Sequence, residues 1–91
     1  MGQLRHLTFR AIIPDPEQNT PTEAIGEFIC SSAILNPEAW LHHLLEQQDL
    51  ILVKIESNLE TSLQRFPEAK REDISQALQK KTFWLRATLV C

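Results

Sequence analysis

The sequence predicts an α+β protein in which a small sheet, formed by strands at the two ends of the chain, packs against one long central helix and two shorter helices. The stretch between Pro37 and Pro67 contains no glycine or further proline and repeats its apolar residues with a helical period. Residues 4–13 and 82–90 alternate instead between apolar and other side chains, which is the period of a strand. These patterns fit a chain of 91 residues, the length of one small domain.

The composition is typical of a soluble globular protein, with 43% hydrophobic and 23% charged residues. Nine basic against twelve acidic residues give a formal net charge of −3, whereas nucleic-acid-binding proteins usually carry a basic excess that neutralises phosphates. No segment reaches the roughly 18 consecutive apolar residues of a membrane span, and the N-terminus lacks the layout of a signal peptide. We therefore expect a single cytoplasmic domain over residues 1–91, without a membrane or nucleic-acid partner.

The first strand is predicted over residues 4–13. Leu7, Phe9 and Ala11 share one face of this strand, and Thr8 lies on the other face among further polar residues. The polar run 14–20 that follows contains two prolines and is predicted to be a surface loop.

A short helix is predicted next, over residues 21–32. Thr20 and Glu23 have the spacing of a capping box, and a proline occupies the first helical position. Gly26 weakens this prediction, because glycine costs a helix about 1 kcal/mol relative to alanine. Residues 28–35 are also compatible with a short strand, so both interpretations stay open here.

The long central helix is predicted over residues 37–66. Asn36 is a good N-cap, Pro37 suits the first helical position, and Pro67 disfavours helical geometry at the residue before it. Residues 50–57 are also compatible with a strand. That interpretation needs a turn just before them, where the sequence has no glycine or proline, so the continuous helix is favoured.

A third helix over residues 70–81 and a last strand over residues 82–90 complete the chain. Ile74 and Leu78 recur at helical spacing, and two lysines suit the negative end of the helix dipole. The last strand alternates clearly, and its outer edge is expected to stay open to a partner. Both end strands are predicted to lie in the same sheet.

The side chains predict no catalytic, metal-binding or cofactor-binding site. His42, Glu46 and Asp49 share one predicted helical face, but a zinc site needs ligands that converge from more than one element. Cys30 lies among apolar residues and is predicted to be a small buried hydrophobic residue, while Cys91 is predicted to be exposed. Two glycines in the whole chain leave little room for a phosphate-binding loop or a nucleophile elbow. The sequence therefore predicts a protein that is not an enzyme.

The predicted function is that of a small protein-interaction or assembly module that forms a homodimer, with another protein as the alternative partner. A helix of about thirty residues would span about 45 Å, longer than a domain of this size is wide, so part of its apolar stripe would need a partner. Trp and Arg, which are enriched in interface hot spots, lie together in the last strand. The interface candidates are Gln48, Leu52, Ile55, Leu59, Leu63, Phe83, Trp84 and Arg86. The alternative is a regulatory α+β domain that binds a small molecule between its sheet and its helices.

Overall fold

The computed structural model describes residues 3–14, 17 and 21–90. The strands are β1 (Leu4–Ile13), β2 (Thr22–Ser31), β3 (Ile51–Thr61) and β4 (Phe83–Leu89). Helix α1 (Pro37–Gln47) lies between β2 and β3 in the chain, and helix α2 (Glu68–Lys81) lies between β3 and β4. A 3-10 turn at Leu63–Arg65 precedes α2. Most of the loop predicted at residues 14–20 lies outside the described residues. Thr20, the predicted N-cap of the helix over residues 21–32, and Cys91 also lie outside them.

The four strands form one antiparallel sheet in the order β3-β1-β2-β4. β1 and β2 are the central pair, and β3 and β4 are the two edges. Because β2 and β3 both run antiparallel to β1, they are parallel to each other, and α1 connects them across one face of the sheet. α2 connects the two edge strands across the opposite face. We call the face under α1 face A and the face under α2 face B.

Face A carries the larger core. Its fully buried side chains come from β1, β2 and α1, and they are Leu7, Phe9, Ala11, Phe28, Cys30, Leu41 and Leu45. Trp40 of α1 meets the rings of Phe28 and Phe83 edge to face, with centroids 5.6 and 5.4 Å apart. Such aromatic pairs contribute about 0.5 to 1.5 kcal/mol each beyond the burial of their area. The aromatic cluster thus fixes α1 against both β2 and β4.

Face B carries a smaller core, formed by Leu4, Ile29, Ile74 and Trp84. Lys70 of α2 lies over the Trp84 ring, with its Nζ 5.3 Å from the ring centroid. The same ammonium donates to both carboxylate oxygens of Glu27 on β2, at 3.1 and 2.8 Å. α2 therefore covers one half of face B and leaves the half around Arg10 and Arg86 open.

Gly26 lies in the middle of β2, where β1 and β4 approach closely. A Cβ at this position would lie 2.6 Å from the carbonyl oxygen of Arg86 and closer still to the ring of Phe9. The Phe9 ring thus occupies the space that any larger residue would need. A glycine inside a strand often marks such a close approach, so Gly26 belongs to a strand and not to a weakened helix.

The predicted helix over residues 37–66 is wrong, and so is the predicted fold of one long helix with two shorter ones. The start is confirmed: Pro37 begins α1, and the Asn36 side chain accepts a hydrogen bond from the N–H of Ala39 at 3.2 Å. The helix ends at Gln47, and Asp49 then adopts a φ of 60°. Aspartate tolerates this left-handed conformation better than most residues, so the turn needs neither glycine nor proline.

Two bulges explain why β3 looked helical. Pairing with β1 shifts register twice, so Leu52, Ile55 and Asn58 lie opposite consecutive face A residues of β1. Each bulge adds one residue to one strand. The core-facing residues of β3 therefore recur every third position instead of every second, and that spacing resembles the period of a helix.

The predicted helix over residues 21–32 is also wrong, because this segment is β2. It pairs with β1 from Ile13↔Thr22 to Leu4↔Ser31. Phe28 and Cys30 are buried on face A and Ile29 on face B, so the apolar residues run together as in other strands covered on both faces.

The remaining elements were predicted correctly. β1 has the predicted bounds, β4 and α2 differ from the prediction by one or two residues at some ends, and the α+β class is confirmed. No helix in the described part of the chain is long and apolar enough to cross a membrane.

Candidate interaction site

The predicted interface residues do not form one surface. Leu52 and Ile55 pack against the core beneath α1, and Leu63 packs against the core beneath α2. Leu59 is 61% exposed on β3. Arg86 lines a separate cavity of about 420 Å³ on the open half of face B.

Three of the predicted residues do come together. Gln48, Phe83 and Trp84 line a groove of about 410 Å³, which we call the β4 groove. The other residues that line it are Leu45, Leu50, Ala77, Lys81, Leu85 and Ala87. α1 and α2 lie on opposite faces of the sheet, and both contribute residues to the lining of the groove. The groove therefore lies at the free edge of β4, where the two faces meet.

The backbone of β4 presents hydrogen-bonding groups at this edge. The N–H of Val90 donates to the carbonyl oxygen of Glu23 on β2 at 2.8 Å. Because alternate residues of an antiparallel strand bond to the same neighbour, the even-numbered residues of β4 bond to β2. The residues that direct their N–H and C=O groups away from the sheet are Phe83, Leu85, Ala87 and Leu89.

β4 lacks the features that protect most edge strands. It pairs with β2 without a register shift, contains no proline, and carries Arg86 as its one charged residue. Leu89 is 54% exposed and Val90 beside it is 44% exposed. A regular edge with exposed apolar side chains is a template for pairing with another chain.

The open half of face B is held by ion pairs within the sheet. Arg10 bonds the carboxylates of Glu23 and Glu56, at 3.0 and 2.8 Å, and the Thr8 and Ser57 hydroxyls are 2.6 Å apart. These contacts link β1 to both of its neighbouring strands and leave the Arg10 guanidinium neutralised.

Glu27 has a perturbed pKa because α2 and β1 both bring a partner to it. Burial of the carboxyl raises its pKa, but the hydrogen bonds and charges of Lys70 and His6 together lower the pKa by more than burial raises it. The pKa of Glu27 therefore lies below its ordinary value. The His6 Nε2 is 3.1 Å from the Glu27 carboxylate. Glu27 is therefore a charged structural contact that joins α2 to the sheet.

The other candidate chemical groups are isolated. His42 Nδ1 lies 3.3 Å from a carboxylate oxygen of Glu46 in an exposed pair, and the described residues contain no cluster of three or more potential ligands placed to hold a metal ion. Cys30 is fully buried, which confirms its prediction. Burial raises the pKa of its thiol to about 11, although Arg5 lowers it somewhat. The thiol therefore stays protonated near neutral pH.

The helical walls of the β4 groove were not predicted from the sequence. Leu45, Leu50 and Lys81 reach the groove only because α1 ends at Gln47 and α2 crosses to the other edge. No local pattern in the sequence indicates that the ends of α1 and α2 lie side by side at β4. The alternation of residues 83–89 was the signal that located the edge itself.

Comparison with known protein families, with curated proteins and with solved structures found no match for this chain. Its function must therefore be inferred from its own residues and from the surfaces they form.

Proposed function

We propose that this protein is a small interaction module that pairs with a second copy of itself through β4, so that the two sheets become one continuous sheet. The free edge of β4 carries this proposal: it is regular, its odd-numbered backbone groups point outward, and the groove beside it is lined by Phe83, Trp84 and Gln48. Edge-to-edge strand addition is a recurring mode of protein recognition. Because a two-fold axis uses the same edge of both copies, the assembly is complete at two chains.

The charge of Arg86 distinguishes two registers in which β4 could pair with a second copy of itself. If the two-fold axis passes through Ala87, Leu85 lies opposite Leu89 of the second copy, and Arg86 lies opposite Thr88 of the second copy. If the axis passes through Arg86, two guanidinium groups oppose each other directly, which destabilises a strand pair. We therefore propose pairing centred on Ala87.

The groove supplies the side-chain part of the interface. Phe83, which is half-buried, is an aromatic residue of the kind that forms interface hot spots, and Gln48 and Lys81 provide exposed polar groups at the helix ends. A cytoplasmic location, expected from the composition, is compatible with Cys30 being a free thiol.

Substitution of Ala87 by proline tests the site. The N–H of Ala87 points away from β2, and proline is tolerated on edge strands in that orientation. We expect light scattering on a sizing column to give twice the 10.5 kDa chain mass for the wild type and the single-chain mass for Ala87→Pro. The circular dichroism spectrum should stay the same, since the bonds to β2 are kept.

Thr88→Pro is the matched control. The N–H of Thr88 bonds to β2, so proline there should weaken the sheet itself and change the circular dichroism spectrum as well as the mass. A wild-type protein that elutes as a single chain at micromolar concentration would contradict the proposed assembly. An Ala87→Pro variant that still pairs would show that another surface is used.

A further inference from the structure

A third cavity lies between the start of β1, the 3-10 turn and α2. Its volume is about 510 Å³, larger than the β4 groove or the cavity beside Arg86. Small-molecule sites usually measure about 300 to 1,000 Å³ and combine an apolar lining with a few convergent polar groups. The size and position of this cavity suit a small molecule held between the sheet and a helix.

The polar part of the lining has unused hydrogen-bonding capacity. It consists of three carboxamides and two hydroxyls, from Gln3, Gln64, Gln79, Ser62 and Ser75. These side chains form no hydrogen bond with another residue in the described part of the chain. Because carboxamides and hydroxyls both donate and accept hydrogen bonds, they suit a ligand that does both.

The rest of the lining is apolar and without charge. Leu4, Leu63 and Leu78 complete the wall, and no ionisable side chain of the described residues lines the cavity. A charged ligand would meet no counter-charge among these residues to offset the part of its hydration that it loses on binding. The ligand should therefore be uncharged and should have an apolar face that the leucines can cover.

We propose that this cavity binds an uncharged nucleobase. A base has flat apolar faces, and donors and acceptors alternate along its edge. A glutamine carboxamide matches such an edge with two hydrogen bonds, as it does with adenine in DNA recognition. The cavity shares no residue with the β4 groove, so this site does not depend on pairing between two copies.

The test uses adenine as the probe and the full chain as the protein. In a two-dimensional NMR titration, adenine should shift the amide signals of residues 62–64 and 75–79 and leave those of β3 unchanged. N6,N6-dimethyladenine, which lacks the amino donors, should bind more weakly, and benzoate, which is flat but charged, should not bind. Absence of adenine-dependent shifts at millimolar concentration, or equal binding of benzoate, would overturn the proposal.

A pair of variants on α2 supplies the matched control. Gln79→Met removes a carboxamide from the lining at an exposed position, and we expect the dissociation constant for adenine to rise about tenfold. Gln76→Met makes the same change three residues away, at an exposed position outside the cavity, and should leave binding unchanged. Equal binding by the two variants would contradict the site.

Discussion

The two edge strands of the sheet differ in the features that govern pairing with another chain. β3 shifts register twice against β1 and carries the exposed charged residues Lys54, Glu56 and Glu60. β4 follows β2 without a shift and carries one charge, at Arg86. Bulges and charged side chains are devices that protect edges. The structure therefore protects one edge and leaves the other free.

Exposed apolar side chains alone would not have distinguished the two edges. On β3, Ile51, Val53 and Leu59 are 49%, 58% and 61% exposed, which is similar to Leu89 of β4 at 54%. What differs is the backbone: a bulged strand twists and interrupts the row of N–H and C=O groups. Regularity of the backbone, together with exposure, is thus the better guide to a docking edge.

The largest expected effect concerns how firmly each edge is anchored. Trp84 is 6% exposed beneath α2, so Trp84→Ala should lower the free energy of unfolding by about 3 to 5 kcal/mol. Leu59→Ala on β3, which removes an exposed side chain, should cost less than about 0.5 kcal/mol. Urea denaturation measures both, and similar losses at the two positions would show that the edges are anchored alike.

The next effect tests the close approach of β4 to the centre of the sheet. Gly26→Ala should cost about 1 to 3 kcal/mol, because the added methyl group meets the Arg86 carbonyl oxygen and the Phe9 ring. At a site with free space the same change would stabilise the protein by about 0.4 to 1 kcal/mol. The sign of the change in urea midpoint therefore decides whether the strands are as close as the structure shows.

A smaller effect concerns the ion pair that fastens α2 beside β4. Glu27→Gln should cost about 1 to 2 kcal/mol at pH 7, because Lys70 loses its charged partner. Since the pKa of Glu27 is lowered in the folded state, its charge stabilises the fold above the unfolded pKa of about 4.3. This contribution is lost as the pH falls through the folded pKa.

The difference between the wild type and Glu27→Gln should therefore shrink as acid denaturation curves are measured at lower pH. Glu46→Gln, which changes an exposed ion pair with His42, should cost less than about 0.5 kcal/mol at any pH. A cost at Glu27 that stays constant down to acid pH would contradict the role of its charge.

The smallest effect compares the residues through which the chain enters the two edges. Asp49 before β3 and Thr82 before β4 have φ values of 60° and 69°. This conformation is unfavourable for a β-branched residue, so Thr82→Gly should raise the free energy of unfolding by about 0.5 kcal/mol. Asp49→Gly should gain less. Thermal unfolding of both variants measures the difference, and a loss of stability at Thr82→Gly would contradict it.

The sequence predicted those strands whose alternation is undisturbed. β1 and β4 keep a period of two along their length, so both were found. β2 is covered on both faces and β3 is bulged, so the period that identifies a strand is absent from each. The turn at Asp49 was missed because a left-handed aspartate has no distinctive sequence pattern, and without that turn residues 50–66 extended the helix.

The candidate interaction site was predicted only in part. Phe83 and Trp84 were found through the alternation of the last strand, whereas Gln48 was chosen for its place on a helix that does not continue past Gln47. The cavity between β1 and α2 was not predicted as a set of residues, because Gln3 and Gln79 meet only after the whole sheet has formed. Sites built from distant segments require the topology to be known.

The strand order also determines which edge is open while the chain is being synthesised. β1, β2 and β3 leave the ribosome before β4, and a chain that ends before Phe83 has β2 as an edge strand. β2 is the strand with Phe28, Ile29 and Cys30, all fully buried once β4 and both helices are in place. Nascent chains at that stage therefore expose the edge of the most apolar and aggregation-prone strand of the sheet. Mutations that slow the pairing of β4 with β2 should reduce the yield of folded protein more than their effect on final stability predicts.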